Sequence, residues 1–195
     1  GMSLQAGTVL TLAETADMVA GVGGVTLTAP QIVTAAEITT NSGNVNVTGA
    51  VTLTGDVSVD TGASGSLLVT GTIDAQTAFA PSLFLSTGTG DITVTGNVGS
   101  VGPLKALEIS DARHVTFGGA ITASHLLQTS GVGTTTIVGA VNTFDVQGIQ
   151  LTTQSIQFAA GTASMDSHGQ IITLTADAIT LPTTFTKATG STVTL

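Results

Sequence analysis

Cysteine, tryptophan and tyrosine are absent from the 195 residues, and positive charge is confined to Lys105, Arg113 and Lys187. Without cysteine there are no disulfides, no thiolate metal sites and no thiol nucleophile. Aromatic residues make up 3% of the chain, too few for a core built around large rings. Charged residues are 8%, where an ordinary soluble domain carries about 25%. The charge that remains is acidic, with a net value of −9. That sign excludes nucleic acid as a partner, because binding it takes a cationic footprint that displaces counterions. It also disfavours an anionic membrane surface. No run of 18 apolar residues occurs, so no membrane-spanning helix is expected.

What the chain does have is Thr, Val, Gly, Ala and Ser in abundance. Val, Ile and Thr suit a pleated, half-buried surface, and Gly suits tight corners. The stretch Gly90-Asp91-Ile92-Thr93-Val94-Thr95-Gly96-Asn97-Val98 shows how they are arranged. Apolar and polar residues alternate, a Gly interrupts, and the apolar phase resumes, as in a strand that bends at its end. The same phrase recurs at Val45/Val47-Gly49-Val51, Leu67/Val69-Gly71-Ile73, Val115/Phe117-Gly119-Ile121 and Ile137-Gly139-Val141. A period of about 22 residues is too short for a βαβ crossover and fits one turn of a β-solenoid.

The apolar pairs sort into two ladders. The first runs Val25/Leu27, Val45/Val47, Leu67/Val69, Ile92/Val94, Val115/Phe117, Thr135/Ile137, Ile156/Phe158 and Ile179/Leu181. The second runs Leu10/Leu12, Ile32, Val57/Val59, Leu83/Leu85, Leu107/Ile109, Leu126, Ile149/Leu151, Ile172/Leu174 and Val193/Leu195. Parallel stacking of each strand on its counterpart one coil earlier is expected, giving a rod of roughly 40 Å. Residues 1–24 read as less regular, with one strand at Val9-Leu10-Thr11-Leu12 and then a helical turn or cap around Glu14, Asp17 and Met18. The longest corners are 74–82, with Phe79 and Pro81, and 99–103, and these are the expected binding loops. The last residues, Thr192-Val193-Thr194-Leu195, fall inside a ladder strand. A fragment of a longer rod with end-to-end pairing is therefore expected.

Phrases such as Gly43-Asn44-Val45-Asn46-Val47-Thr48-Gly49-Ala50-Val51, repeated over nearly the whole chain, resemble the β-helical repeats of filamentous-haemagglutinin-like giant surface proteins of bacteria. The resemblance implies a right-handed parallel β-helix, two-partner or autotransporter-like secretion, and a role as shaft or adhesive segment.

Several short patterns resemble chemistry. Val57-Ser58-Val59-Asp60-Thr61-Gly62-Ala63-Ser64 carries the Asp-Thr-Gly of aspartic proteases, where two carboxylates share a proton. One coil on, Ser86 stands where Asp60 stood, so a turn is the expectation. Ser164-Met165-Asp166-Ser167-His168 sets Ser, Asp and His at alternate positions, which in a strand lie about 6 to 7 Å apart and read as a polar turn. Asp111-Ala112-Arg113-His114, with Asp91 one coil earlier and His125 nearby, is the one cluster of acid, base and cation. The expectation there is a surface salt bridge between Asp111 and Arg113. His114, His125 and His168 read as single and unpaired, Asp56 and Asp60 as too far apart to chelate, and Gly88-Thr89-Gly90-Asp91 as lacking the serial repetition of a Ca²⁺ nonapeptide. Gly21-Val22-Gly23-Gly24 has no helix after it to form a phosphate cradle.

Together these readings predict an all-β, right-handed parallel β-helix of eight or nine coils as a single repeat domain over 1–195. The expected function is a non-enzymatic structural or adhesive module, extracellular or on the cell surface. Its expected partners are a host or environmental surface, presenting carbohydrate or protein. No catalytic, metal-binding or cofactor-binding residue is assigned. The alternatives are a polysaccharide-active β-helix enzyme or carbohydrate-binding module and, less well supported, ice binding by the outward Thr row, which Leu68, Gln157 and Gly118 interrupt.

Overall fold

The structure is a computed structural model that describes residues 1–159, 164–181, 186–187 and 192–194. Every strand pairing among them is parallel and none of them is helical, as expected for a β-solenoid. On the first face nine strands stack in chain order, from Met2–Gln5 to Ala178–Thr180, which makes eight turns. Register pairs Val25 with Val45 and Leu67 with Ile92, so on this face a turn takes from 20 to 25 residues.

The first ladder lies where the sequence places it. Val25, Val45, Leu67, Ile92, Val115, Thr135, Ile156 and Ile179 occupy one continuous row of rungs. The outward row beside it is Thr26, Asn46, Leu68, Thr93, Thr116, Thr136, Gln157 and Thr180. Leu181 departs from the expectation, standing just past its strand and 43% exposed.

The second ladder proves to be two. Leu10 pairs with Ile32, but Ile32 continues to Val51, Ile73, Val98, Ile121, Val141 and Met165 on a face of its own. Val57 belongs to a third face, with Leu83, Leu107, Leu126, Ile149 and Ile172 after it, while Met18 and Ile38 precede Val59 in the neighbouring row of the same face. Each coil is thus a triangle. The second face is short, and from Val51 to Val141 its apolar residues stand two positions after the Gly of the repeated phrase, so in sequence they read as the tail of the first strand. Residues 1–24, where one strand was expected, supply three: Met2–Gln5, Val9–Leu12 and Met18–Ala20, one on each face. Leu195 lies outside the described residues.

Inward side chains from all three faces form one core running from Leu12 to Leu174, with Phe117 its largest fully buried member. The corners impose a different demand. Where the first face turns into the second, successive backbones approach so closely that a Cβ on Gly71, at φ +145°, would lie 2.1 Å from the Gly49 carbonyl oxygen. Corner N–H groups with no strand partner are met by side-chain oxygens of the preceding coil. Asp17 accepts from Glu37, Asn44 from Ser66, Asp56 from Ser82, Asp74 from Val101 and Asn97 from Ala120, at 2.7 to 2.9 Å. At the corner that leads back to the first face, the buried hydroxyls of Thr40, Thr61 and Thr87 donate to the carbonyls of Gly43, Gly65 and Gly90. The Thr hydroxyl bonds are buried, and they satisfy groups whose burial would otherwise cost about 1–3 kcal/mol each.

Gly71→Ala is therefore expected to lower stability by at least about 1–3 kcal/mol, through backbone strain and the close carbonyl contact. Gly7→Ala, with nothing within 4 Å of its added Cβ, should stay within about 0.5 kcal/mol of the parent. Urea unfolding of the two variants checks the contrast.

Candidate functional site

The acid–cation cluster assembles with a different pairing from the expected one. Arg113 turns to Asp91 on the preceding coil, Nε donating to Oδ1 at 2.9 Å and Nη2 to Oδ2 at 2.8 Å. The backbone N–H of His114 also donates to Asp91 Oδ1. Asp111, the expected partner, instead accepts from the Ser86 hydroxyl and the Gly88 N–H. Register explains the exchange: Asp111 stands on the rung next to Ser86, while Asp91 and Arg113 share the corner one step along the chain. The guanidinium beside Asp91 holds its carboxyl below the usual carboxylate range, against a smaller opposing effect of burial, and the same pairing raises Arg113. His114 Nδ1 accepts from the Thr134 N–H, so this ring too is tied to the next coil. The cluster lies over a corner, and its four groups line none of the surface troughs at Ser86, Gly131 and Glu37.

The other patterns resolve into turns. Asp60 Oδ1 accepts from the N–H of Gly62, at φ +74°, and Thr61 is fully buried. Ser86 stands beside Asp60 and Asp111 beside Ser86, which puts the two acids two rungs, about 9.6 Å, apart and beyond sharing a proton. Asp56 is spent on the Ser82 N–H. Gly21 to Gly24 close a turn ahead of a strand, with the Gly24 N–H donating to the Gly21 carbonyl. In 164–168, Met165 is core and His168 takes φ +50°, which brings its Nδ1 to 2.9 Å from the Thr143 carbonyl and 3.5 Å from Asp166 Oδ1. Its ring stacks on Phe144 at 4.2 Å. Among the described residues no group of three His, Asp or Glu side chains converges as a metal site.

The expected binding loops are laced together. Asp74 Oδ1 accepts from Val101 and Gly102, and the Phe79 N–H donates to the Pro103 carbonyl. Phe79, at φ +59°, meets Phe144 edge-on at 5.6 Å. These loops therefore form one buttressed ridge between the second and third faces.

Below that ridge sits the arrangement the sequence least suggests. His125, expected to be unpaired, is 6% exposed and lies between two carboxylates, with Nε2 3.1 Å from Glu108 Oε1 and Nδ1 3.0 Å from Asp145 Oδ2. Three successive coils are joined through one ring. Each ring nitrogen thus faces one carboxylate oxygen. Ile121–Gln128 runs through the corner as one strand, which leaves His125 and Leu126 both buried. The signal was present, since Glu108 and Asp145 stand 17 and 20 residues from His125, close to one coil period.

Glu108 also lines a trough of about 290 Å³ on the outward side of the third face. One row of its floor is Ser58, Phe84, Glu108 and Leu127, paired rung by rung. Beside it run Asp60, Ser86, Ser110 and Thr129. The register slips between Leu85 and Ser86 against the next coil, so Ser110 is an extra residue. A bulge of this kind bends a strand and re-aims its side chains. Phe84 is 37% exposed there.

Asp91→Asn removes one carboxylate whose ion pair lowers its folded-state value. The stability due to that pair is complete above the unfolded value of about 3.9 and is lost as pH falls through the folded one. Melting temperature should thus fall less steeply below about pH 4 in Asp91→Asn than in the parent, a small difference because the pair is half exposed. His125→Phe keeps a buried ring but strips both acids of their partner, and should cost about 1–3 kcal/mol in urea unfolding.

In the comparisons with family models, curated proteins and solved structures, the chain has no match.

Proposed function

We propose that this chain is a non-enzymatic structural and adhesive module of a secreted bacterial surface protein, a shaft that presents its third-face trough to a ligand. What carries the reading is the use made of the acids. Asp17, Asp56 and Asp74 hold corner N–H groups of the next coil, Asp91 holds Arg113, and Asp60 closes its own turn. Four of these five acids are thereby committed to joining coils, which is what an extended rod requires. No helix among the described residues is long and apolar enough to cross a membrane. A polysaccharide-active reading draws on one observation, that Glu108 stands in the trough with His125 and Asp145 behind it. Ice binding draws on the Thr row of the first face, but Leu68 projects from the middle of it, 39% exposed.

The test is adhesion under flow. Beads coated with the chain should be retained on cell or polysaccharide surfaces longer than beads coated with an inert protein, and polysaccharides incubated with the chain should release no new reducing ends. Equal retention would reject the adhesive role, and released ends would establish the enzyme instead.

A further inference from the structure

We infer that the third-face trough is a binding site for a neutral glycan chain lying along the rod across four coils. The inference rests on the trough being the presented face proposed above, and it names that face's ligand. A pyranose is amphipathic, with C–H groups on its ring faces and hydroxyls around its rim. The trough is divided in the same way. Phe84 and Leu127 supply apolar platforms in one row, and Asp60, Ser86 and Thr129 supply polar groups in the other. From Asp60 to Thr129 is three coil steps, about 14 Å, long enough for several sugar residues.

Both carboxylates keep acceptor capacity. Asp60 uses Oδ1 on Gly62 and Glu108 uses Oε1 on His125, while the second oxygen of each makes no hydrogen bond among the described residues. Such an oxygen is a strong acceptor for a sugar hydroxyl. Each is also held in place, Asp60 by its turn and Glu108 by a buried ring, so little ordering is lost on binding.

Charge selects among glycans. No Lys or Arg lines the trough and the chain carries a net charge of −9, so uronate and sulfated chains are repelled. An extended peptide is the poorer occupant, because strand addition needs a free sheet edge and the trough lies on a face whose strands are already paired on both sides.

The experiment is titration calorimetry of the full chain with linear hexasaccharides of glucose, of mannose and of N-acetylglucosamine, and with hexagalacturonate as the anionic counterpart. At least one neutral hexasaccharide should bind and hexagalacturonate should not. Phe84→Ala should weaken the binding about tenfold by loss of the stacking platform. Asp60→Asn, which keeps the turn acceptor and replaces the other oxygen by a donor, should weaken it several-fold, and Leu68→Ala on the first face should leave it unchanged. Melting curves establish that each variant is folded. Absence of binding by all three neutral chains, equal or tighter binding of hexagalacturonate, or binding indifferent to Phe84→Ala would each overturn the inference. The outcomes separate this inference from the reading it rests on. Beads that adhere without glycan binding would sink the glycan site alone, and glycan binding without bead adhesion would sink the adhesive role alone.

Discussion

Parallel stacking at one backbone repeat of about 4.8 Å per coil is the constraint from which the other features follow. Along the strands it is easily met, because β-branched side chains in register fill the pleat and the main chain bonds from coil to coil. At the corners it is severe. The backbone must turn while keeping the same spacing, so the residue there loses its side chain, as at Gly71, or the corner N–H finds a side-chain acceptor on the neighbouring coil, as the Ser82 N–H does in Asp56. The scarcity of charge belongs to the same picture: a rod of this kind uses its acids as corner acceptors, and few are needed.

The same constraint shapes the surface. Because equivalent residues are held one rung apart, a local change in the coil alters the surface along the rod. One extra residue, Ser110, shifts the register of the third face where it lines the trough, and one strand running straight through its corner, Ile121–Gln128, brings His125 inside between Glu108 and Asp145. Glu108 connects the two features. Its one oxygen is anchored by a buried ring and its backbone belongs to the trough floor.

The sequence made the architecture legible because parallel register repeats the same residue types at the same phase. Val25 through Ile179 could be aligned by inspection, and the structure pairs them so. The triangular section was not legible. A short face of three or four residues following a Gly has the same alternation as a continued strand, and the bend at Gly49 or Gly71 depends on backbone angles that periodicity does not encode. Site residues were harder for a related reason. Arg113 has acids on both sides, Asp111 near in sequence and Asp91 a coil away, and only the corner geometry chooses Asp91. Glu108 and Asp145 were invisible as partners of His125 until sequence separation was counted in coils.

The three-faced coil is the claim on which the trough, its ridge and the His125 bridge all depend, and the absence of cysteine allows a direct test. Val33 and Thr52 are paired outward neighbours on the second face, at a separation of about 4.8 Å that a disulfide can span. The variant carrying Val33→Cys and Thr52→Cys should cross-link on mild oxidation, and the variant carrying Val33→Cys and Ser58→Cys should remain reduced, because Ser58 lies on the third face. Cross-linking of the second pair in place of the first would show a two-faced coil in which Ile32 stacks on Val57, and would contradict the account.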